Sequence, residues 1–389
     1  MGGSQIQLEP ELNVASVRKS PSMLRVLVVY DRNRGLGQYF EALRSLPGNV
    51  LTYFKIGKVT RAESALAKVS RHLVASSTFI CLLIRLRPSL IHLNPSLSVR
   101  SLVPVSFYLV VSKLFRCRVL MFIHGWNPST QRLLEKHKWS RRRLLGLANA
   151  FIVLSHENRQ TLKRWGVQRP IFLETTVVAD DWTKDVHLEK KLAALKGTKT
   201  WTILFLAEIL REKGVFLAIE ATRILQMKFR NVKLIIAGDG TNLVDAQMYV
   251  RNSMMEGVTF SGYVSGTEKR NVFEQSDIFC LPTMFDEGLP IAVVEAMCFG
   301  LPVVTRAAGG LKDLFERTVF GCMTESKDAV IIAEKVEQLI CDTDLYARIA
   351  WNNYMYSRNH FLASSASERL RCIYELISDS RVSDSSSHA

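Results

Sequence analysis

Short apolar runs alternate with longer amphipathic stretches along most of the chain. In the first half the apolar runs cover residues 24–30, 90–93, 119–123 and 150–154. Each run is short, continuous and rich in branched aliphatic residues, which is typical of a buried parallel strand. Helical patterns follow, beginning with residues 38–46 after a glycine-bearing loop. Alternating strands and helices predict a doubly wound α/β domain.

The pattern restarts after a polar, lysine-rich stretch. The predicted strands of the second half are residues 201–206, 232–237, 258–260, 278–281 and 303–305. The predicted helices between and after them are residues 215–229, 243–254, 267–275, 290–299, 311–315 and 329–342. The chain is therefore predicted to hold two α/β halves in tandem.

The composition shifts set the predicted domain boundaries, and 389 residues suit two domains of ordinary size. The predicted segments are a polar leader 1–22, an N-terminal domain 23–182, a linker 183–200, a C-terminal domain 201–360, a C-terminal helix 361–380 and a disordered tail 381–389.

Positive charge is concentrated in the first half. Residues 1–200 hold 32 Lys and Arg against 12 Asp and Glu, a balance of +20, whereas the rest holds 19 against 24, a balance of −5. The first half is therefore expected to face an anionic membrane surface or nucleic acid, unless it is simply a solvated basic surface. Because it carries no nucleic-acid recognition motif, no nucleic-acid partner is predicted. The densest basic patch is residues 136–143, with Trp139 as a candidate interfacial anchor.

Two apolar stretches, residues 72–86 and 102–115, are shorter than the about 20 residues that cross a membrane. They are predicted to be core helices, with helices lying in a membrane interface as the alternative. Residues 1–22 lack the apolar segment of a secretory signal, and the seven cysteines show no metal-ligand spacing. A cytoplasmic protein, peripheral on the cytoplasmic face of the membrane, is expected.

The stretch F-D-E-G-L-P-I-A-V-V-E-A-M, residues 285–297, carries candidate chemistry. It follows a predicted strand and opens a helix, so the backbone N–H groups near Gly288 form an anion site at the helix start. Two carboxylates, Glu287 and Glu295, flank this helix start and could accept hydrogen bonds from sugar hydroxyls. The alternative is that Glu287 only complements the helix dipole and Glu295 forms a salt bridge on a solvated face.

A second glycine-bearing turn, G-L-P-V-V-T-R-A-A-G-G, follows at once. Together the two stretches resemble the nucleotide-sugar signature of glycosyltransferase family 4, the retaining group 1 enzymes of GT-B fold. The resemblance implies two Rossmann-like domains with an interdomain cleft and a C-terminal helix that packs back on the N-terminal domain. Upstream, L-F-L-A-E-I-L-R-E-K-G, L-I-I-A-G-D-G and V-T-F-S-G-Y-V resemble further motifs of that family in the same order. The first half matches more loosely, through R-N-R-G-L-G-Q-Y-F, I-H-G-W and V-L-S-H-E-N.

The resemblance implies a role for each matching residue. His124, Lys213 and Glu287 would be catalytic, because they would lie at the reacting sugar and the leaving diphosphate. The donor would be bound by Lys213 and Glu287 together with Gly35, Gly37, Arg211, Gly238, Gly240, Tyr263, Gly288, Leu289, Pro290 and Glu295. The resemblance also implies retention of configuration without a metal or other cofactor, a nucleotide-sugar donor, and an acceptor bound by the first half. The acceptor is expected to be a glycan or to be linked to a polyprenyl diphosphate at the cytoplasmic leaflet, which would explain the balance of +20 in that half.

The chain departs from the family pattern beside the predicted diphosphate. The family's arginine falls on Glu208 and its glycine on Ala207, and Arg211 is the nearest candidate to replace the missing positive charge. The usual N-G-V-D turn is also replaced, by V-V-A-D-D-W. These departures leave two alternatives open: a non-catalytic or weakly active binding subunit, and a sugar-nucleotide epimerase of the same fold.

Overall fold

The computed structural model describes residues 24–31, 49–56, 64–193, 195, 200–285, 289–315 and 319–378. Within these ranges each half of the chain forms one parallel sheet of six strands. The strands of the N-terminal half are β1 (Leu24–Asp31), β2 (Asn49–Ile56), β3 (Leu90–Leu93), β4 (Arg118–Ile123), β5 (Ala150–Val153) and β6 (Ile171–Leu173). Those of the C-terminal half are β7 (Trp201–Leu206), β8 (Val232–Ala237), β9 (Val258–Gly262), β10 (Ile278–Leu281), β11 (Val303–Arg306) and β12 (Gly321–Thr324).

The helices lie between the strands, as the alternating pattern predicts. Those of the N-terminal half are α1 (Ala65–Leu86), α2 (Val99–Leu114), α3 (Pro128–Lys136), α4 (Lys138–Gly146) and α5 (His156–Arg164), followed by α6 (Leu188–Ala193). Those of the C-terminal half are α7 (Val215–Lys228), α8 (Leu243–Asn252), α9 (Gly266–Glu274), α10 (Ile291–Cys298), α11 (Gly310–Phe315), α12 (Ala329–Cys341), α13 (Thr343–His360) and α14 (Ala363–Ser378). The predicted helix 38–46 lies outside the described residues.

The sheet orders are β2-β1-β3-β4-β5-β6 and β12-β11-β10-β7-β8-β9. The sequence predicted every inner strand and missed three strands, β2, β6 and β12, each of which lies at the edge of its sheet. An edge strand is covered less completely, so its apolar run is shorter or interrupted by polar residues. The two-domain α/β architecture is as predicted.

The N-terminal sheet has a different cover on each face. On one face Phe79 of α1 and Tyr108 of α2 pack edge to face, with ring centroids 4.8 Å apart, within a core that α4 and α5 also join. On the other face Leu370, Ile373 and Tyr374 of α14 pack against β1, β3, β4 and β5. The C-terminal helix therefore completes the N-terminal domain, as predicted.

Helix α1 corrects the prediction that residues 72–86 form a core helix. From Val69 onward its buried residues are Phe79 and Leu83, and only 11% of the stretch Val69–Leu86 is buried. The helix begins earlier than the apolar run suggested. This 18-residue stretch is consequently long and apolar enough, by length and composition alone, to cross a membrane, contrary to the sequence analysis.

The basic patch at residues 136–143 is smaller than its sequence suggests. Arg141 is 8% exposed, donates from Nη1 to the Leu134 carbonyl at 3.1 Å and lies over the Trp165 ring. Trp139 is exposed, and the Arg143 guanidinium stacks on it at 3.8 Å from the ring centroid. One predicted surface cation is therefore part of the domain's packing.

The predicted linker contains α6, whose Leu188 packs into the C-terminal core. The chain passes between the two halves twice, and the two segments that cross lie next to each other. Val178 and Leu362 form a parallel bridge, and the Asp180 carboxylate caps the start of α14 by accepting from the Ser364 N–H at 3.0 Å.

Candidate functional site

A cavity of about 800 Å³ lies between the two halves, at the carboxyl ends of both sheets. Its N-terminal wall is formed by Ser96, His124, Gly125, Trp126, Leu154, Thr175, Thr176 and Val177. Its C-terminal wall is formed by Leu206, Ala207, Glu208, Lys213, Ala237, Gly238, Asp239, Tyr263, Val264, Lys269, Leu281, Phe285, Leu289, Pro290, Ile291 and Ala292. Ligand sites of open α/β sheets form at this edge, so the cavity is the candidate functional site.

Lys213 is held at the cavity by the backbone around it. The Glu212 carbonyl accepts from the Met284 N–H at 2.7 Å, which binds the lysine loop to the loop after β10. Gly214 has a φ of +86°, and a side chain there would meet the Pro282 carbonyl oxygen at 2.3 Å. Only glycine fits this contact. The Lys213 ammonium thereby lies over the Phe285 ring, 4.5 Å from its centroid.

The G-D-G turn after β8 rests on the same loop system. A side chain at Gly238 would lie 1.9 Å from the Ala207 carbonyl oxygen, and one at Gly240 would lie 2.5 Å from the Ile209 carbonyl oxygen. The Ile209 N–H donates to the Asp239 carbonyl at 2.9 Å. These glycines are required by backbone packing, and only Gly238 of the two lines the cavity.

Glu295 is buried in α10 and does not line the cavity, since the Lys269 side chain lies against it. The Lys269 ammonium is 2.6 Å from the carboxylate, and the Glu295 residue is 5% exposed. Burial raises the pKa of Glu295, an effect that the charge of Lys269 opposes. The carboxylate thus faces neither bulk solvent nor the cavity directly, and Lys269, which sequence reasoning missed, stands at the wall instead.

His124 lies at the N-terminal wall, and its contact with Asn94 identifies a ring nitrogen that carries a proton. The Asn94 Nδ2 group donates to the carbonyls of Val29 at 3.1 Å and His92 at 3.4 Å. Its Oδ1 atom is therefore the acceptor that lies 2.8 Å from His124 Nε2. It follows that His124 Nε2 carries a proton, because this contact needs a donor. The ring also packs on Phe122, with centroids 3.7 Å apart.

Two further residues shape the N-terminal wall and were missed by sequence reasoning. Thr176 donates from Oγ1 to the Leu289 carbonyl at 2.7 Å, which joins the halves next to the start of α10. Trp126 donates from Nε1 to Gln131 at 2.7 Å and stacks on Trp165. The Thr176 hydroxyl belongs to no sequence motif, and Trp126, although it ends the I-H-G-W stretch, was given no role of its own; the fold brings both to the cavity.

The loop after β10 is also anchored from beneath. Arg306, 9% exposed, donates to the carbonyls of Thr283 at 3.2 Å, Glu325 at 2.8 Å and Ser326 at 2.7 Å. This buried guanidinium, whose role the sequence did not reveal, holds the loop that carries Phe285. Among the described residues no cluster of three His, Cys, Asp or Glu side chains could hold a metal ion.

The predicted site residues fall into three groups. Those that line the cavity are His124, Lys213, Gly238, Tyr263, Leu289 and Pro290. Arg211, Gly240 and Glu295 do not line it; the Arg211 guanidinium lies over the Phe216 ring instead, 4.4 Å from its centroid. Gly35, Gly37, Glu287 and Gly288 lie outside the described residues.

Comparison with known proteins agrees with this arrangement. Residues 188–355, which are 168 of the 389 residues, match the model of the family described as "Glycosyl transferases group 1". The chain is 27% identical over 247 residues to alpha-D-kanosaminyltransferase of Streptomyces kanamyceticus, covering 62% of this chain and 64% of that protein. It is 26% identical over 231 residues to the amylovoran biosynthesis glycosyltransferase AmsK of Erwinia amylovora, covering 57% and 54%. The matches thus span less than two thirds of either relative.

Among solved structures, Anabaena HepE in complex with UDP and glucose superimposes with a TM-score of 0.66. The match covers 90% of this chain and 99% of that one at 15% identity, so it concerns the fold alone. The fold is GT-B, as predicted. The site described above therefore lies in the interdomain cleft of this fold.

Proposed function

We propose that the protein is a retaining glycosyltransferase. It moves a sugar from a UDP- or GDP-sugar donor to a glycan or polyprenyl-linked acceptor, in cell-surface polysaccharide or glycolipid biosynthesis. The observation that carries the proposal is the position of Lys213. Its loop is fixed by backbone contacts, and it lines an interdomain cavity beside the start of α10.

The donor diphosphate would bind on the C-terminal wall. The Lys213 ammonium and the N–H groups of Leu289 and Ile291 would neutralise the charge that develops on the leaving group, whereas Pro290 has no N–H to give. Fixed charges and dipoles of this kind are usually the largest catalytic contribution. A cavity of about 800 Å³ is of the size that a nucleotide sugar requires.

The rest of the donor would extend along the same wall. The nucleoside would lie on the turn at Gly238 and near Tyr263, and Glu295 would receive the ribose hydroxyls once Lys269 turned aside or shared them. Glu287, by its resemblance to the family motif, would bind the hydroxyls of the transferred sugar. His124 would face that sugar from the opposite wall.

The proposed reaction needs no separate general base. The oxygen of the departing phosphate would take the proton of the acceptor hydroxyl as the new glycosidic bond forms on the face that the phosphate leaves. Closure of the cleft would exclude water, because hydrolysis of the donor is the competing reaction. The N-terminal half would bind the acceptor and would face an anionic membrane surface on the cytoplasmic side.

A ligand screen tests the proposal. We expect UDP or GDP, and one of their sugar conjugates, to raise the melting temperature, because a ligand at 100 times its dissociation constant adds about 2.7 kcal/mol. Release of nucleotide diphosphate, with the sugar appearing on an acceptor, would then establish transfer. If no nucleotide or nucleotide sugar stabilised the protein, the proposal would be wrong.

A non-catalytic binding subunit is the second candidate, and Glu208 favours it. This carboxylate lines the cavity at the position where the family carries an arginine, so it repels a diphosphate. The variant Glu208→Arg separates the candidates. A transferase should bind its donor at least tenfold more tightly in this variant and turn over in both forms, whereas a binding subunit would gain affinity without turnover.

A further inference from the structure

Helices α1 and α2 expose two apolar stripes side by side. They connect successive parallel strands and cover the same face of the N-terminal sheet, so they run in the same direction. Their exposed apolar residues, which define the α1–α2 face, are Val69, Leu73, Val74 and Ile84 on α1 and Val99, Val103, Phe107, Val110 and Leu114 on α2. The spacing of three and four residues on α2 aligns its members into one stripe. Soluble monomers rarely expose contiguous apolar surface of this kind.

The stretch of sequence that contains both helices carries charge of one sign only. Residues 64–134 contain nine basic residues, Lys68, Arg71, Arg85, Arg87, Arg100, Lys113, Arg116, Arg118 and Arg132, and no Asp or Glu. Arg85 and Arg87 lie at the end of α1, and Arg100 lies at the start of α2, all three exposed. Apolar stripes bordered by cations match a surface whose charged layer is negative and whose interior is apolar.

The inner side of α1 is anchored in its domain. Phe79 and Leu83 are 0% and 2% exposed, and the Phe79 ring lies 5.9 Å from that of Phe54 on β2. A membrane span would have to withdraw both side chains from the core. The helix is therefore placed to lie on a membrane surface, although its length would also allow it to cross one.

We propose that the α1–α2 face docks on an anionic phospholipid bilayer. The apolar stripes enter the boundary of the acyl chains, and the arginines at the helix ends bind the lipid phosphates. This assignment differs from the patch at residues 136–143, where Arg141 is buried. The docking proposal rests on the proposed function only in one respect, that the bilayer would present a lipid-linked acceptor to the cleft.

Electrostatics favours a bilayer over a second copy of the chain. Two copies joined through this face would bring the exposed Arg85, Arg87 and Arg100 of each copy toward the same face of the other, and neither α1 nor α2 contains an acidic residue to pair with them. Like charges placed across an interface oppose association. Anionic lipid removes that repulsion, and each cation near such a surface strengthens binding about fivefold.

The face also begins beside the cleft. Ser96 lines the cavity, and α2 starts three residues later at Val99, the first member of its stripe. A bilayer against the α1–α2 face would thus present a lipid-linked acceptor next to the N-terminal wall.

Vesicle sedimentation tests the surface without a donor or an acceptor. The full chain should sediment with vesicles of phosphatidylcholine and phosphatidylglycerol and stay in solution with phosphatidylcholine alone. The triple variant Leu73→Ser, Val103→Ser, Phe107→Ser should lose at least tenfold of this binding, and Arg85→Gln with Arg100→Gln should lose a similar factor. A control, Met227→Ser, Val244→Ser, Met254→Ser, changes three exposed apolar residues of the C-terminal half and should bind like the unaltered chain.

A fluorescent probe locates the contact. Cys81 is exposed on α1 and Cys341 is exposed on α12. A polarity-sensitive dye on Cys81, in a Cys341→Ser background, should shift to shorter wavelength with anionic vesicles. The same dye on Cys341, in a Cys81→Ser background, should not shift.

Three outcomes would overturn the proposal. The first is equal binding by the triple variant and its control, and the second is a loss of binding confined to Lys136→Gln and Lys138→Gln. The third is that the unaltered chain does not bind vesicles but forms a dimer, whereas the triple variant is a monomer. Nucleotide binding by the triple variant is measured in parallel. Unchanged nucleotide stabilisation with failed docking would leave the transferase proposal standing, and the converse would leave the docking standing.

Discussion

The two walls of the cleft are built by different means. On the C-terminal wall, backbone hydrogen bonds and close approaches at Gly214, Gly238 and Gly240 fix the loops. On the N-terminal wall, backbone hydrogen bonds such as that from the His124 N–H to the Pro95 carbonyl at 3.1 Å are supplemented by side-chain contacts, those of Asn94 with His124 and of Thr176 with Leu289. Backbone packing demands glycine at set positions, whereas side-chain contacts can be met by several residue types. The C-terminal wall consequently leaves motifs in the sequence, and the N-terminal wall leaves few.

The largest expected effect concerns the side-chain contact that holds α14 on the N-terminal half. Arg369 donates from Nε and Nη2 to the two carboxylate oxygens of Glu174 at 3.0 and 2.9 Å, and the Glu174 side chain is 1% exposed. Arg369→Ala should cost about 3–4 kcal/mol, because it leaves a buried carboxylate unpaired. Hydrogen exchange should quicken in α14 and β6 and stay unchanged in α7.

The control for that variant lies on the same helix. Arg371 pairs with Glu368 and Glu375 within α14, and helical pairs of this spacing contribute about 0.3–0.5 kcal/mol each. Arg371→Ala should therefore change exchange little. If both variants behaved alike, the contact with Glu174 would not be what holds the helix.

On the C-terminal wall, the next effect concerns activity rather than folding. Lys213→Ala should lower kcat about a hundredfold, or about 2.7 kcal/mol, because a fixed charge at the leaving group is lost. Lys327→Ala, an exposed lysine of the same half outside the cavity, is the matched control. Full activity of the Lys213 variant on the donor chosen by the ligand screen would contradict the site.

A smaller effect should appear as a pH dependence of the N-terminal half. Burial lowers the pKa of His92 from 6.5 to about 3, and its Nδ1 atom lies 2.6 Å from the Tyr374 hydroxyl of α14. Because the folded state keeps the ring neutral, its contribution to stability is complete above pH 6.5 and is lost as the pH falls toward 3. Between pH 8 and pH 5 this loss is about 2 kcal/mol.

The variant His92→Gln checks that pH dependence. Its free energy of unfolding, measured in denaturant at each pH, should fall less steeply between pH 8 and pH 5 than that of the unaltered chain. His72→Gln, on the exposed side of α1, should keep the original slope. Parallel slopes for all three proteins would exclude His92 as the cause.

The smallest expected effect joins the two walls. Thr176→Val removes one neutral hydrogen bond, to the Leu289 carbonyl, and should cost about 1 kcal/mol of stability. Nucleotide affinity should also fall severalfold, since Leu289 lies at the start of the proposed diphosphate site. Thr267→Val, on the exposed surface of α9, should change neither quantity.

How far the sequence predicts this fold depends on burial. Every inner strand was recognised from its mainly apolar run, whereas only β9 of the four edge strands in the described residues was predicted, and β2, β6 and β12 were missed. Helix α1 was assigned to the core because apolar composition does not reveal whether a neighbour covers a helix. The fold class was therefore predictable, but which apolar helix faces remain exposed was not.

The candidate site was predictable where glycine or charge spacing records it. Lys213 and Gly238 were found in this way. Lys269 was missed because its importance depends on Glu295, 26 residues away and in contact only after folding. Arg306 was missed for the same reason, since its three carbonyl partners come from two separate loops.

The return of α14 to the first sheet has a consequence for biosynthesis. Tyr374 packs in the same core as Tyr30, which precedes it by 344 residues. At translation rates of about 5–20 residues per second, the ribosome needs about 20–70 s to make the intervening chain. Part of one apolar face of the N-terminal sheet therefore remains exposed while the C-terminal half is being synthesised. We expect chaperones to bind this face during that interval.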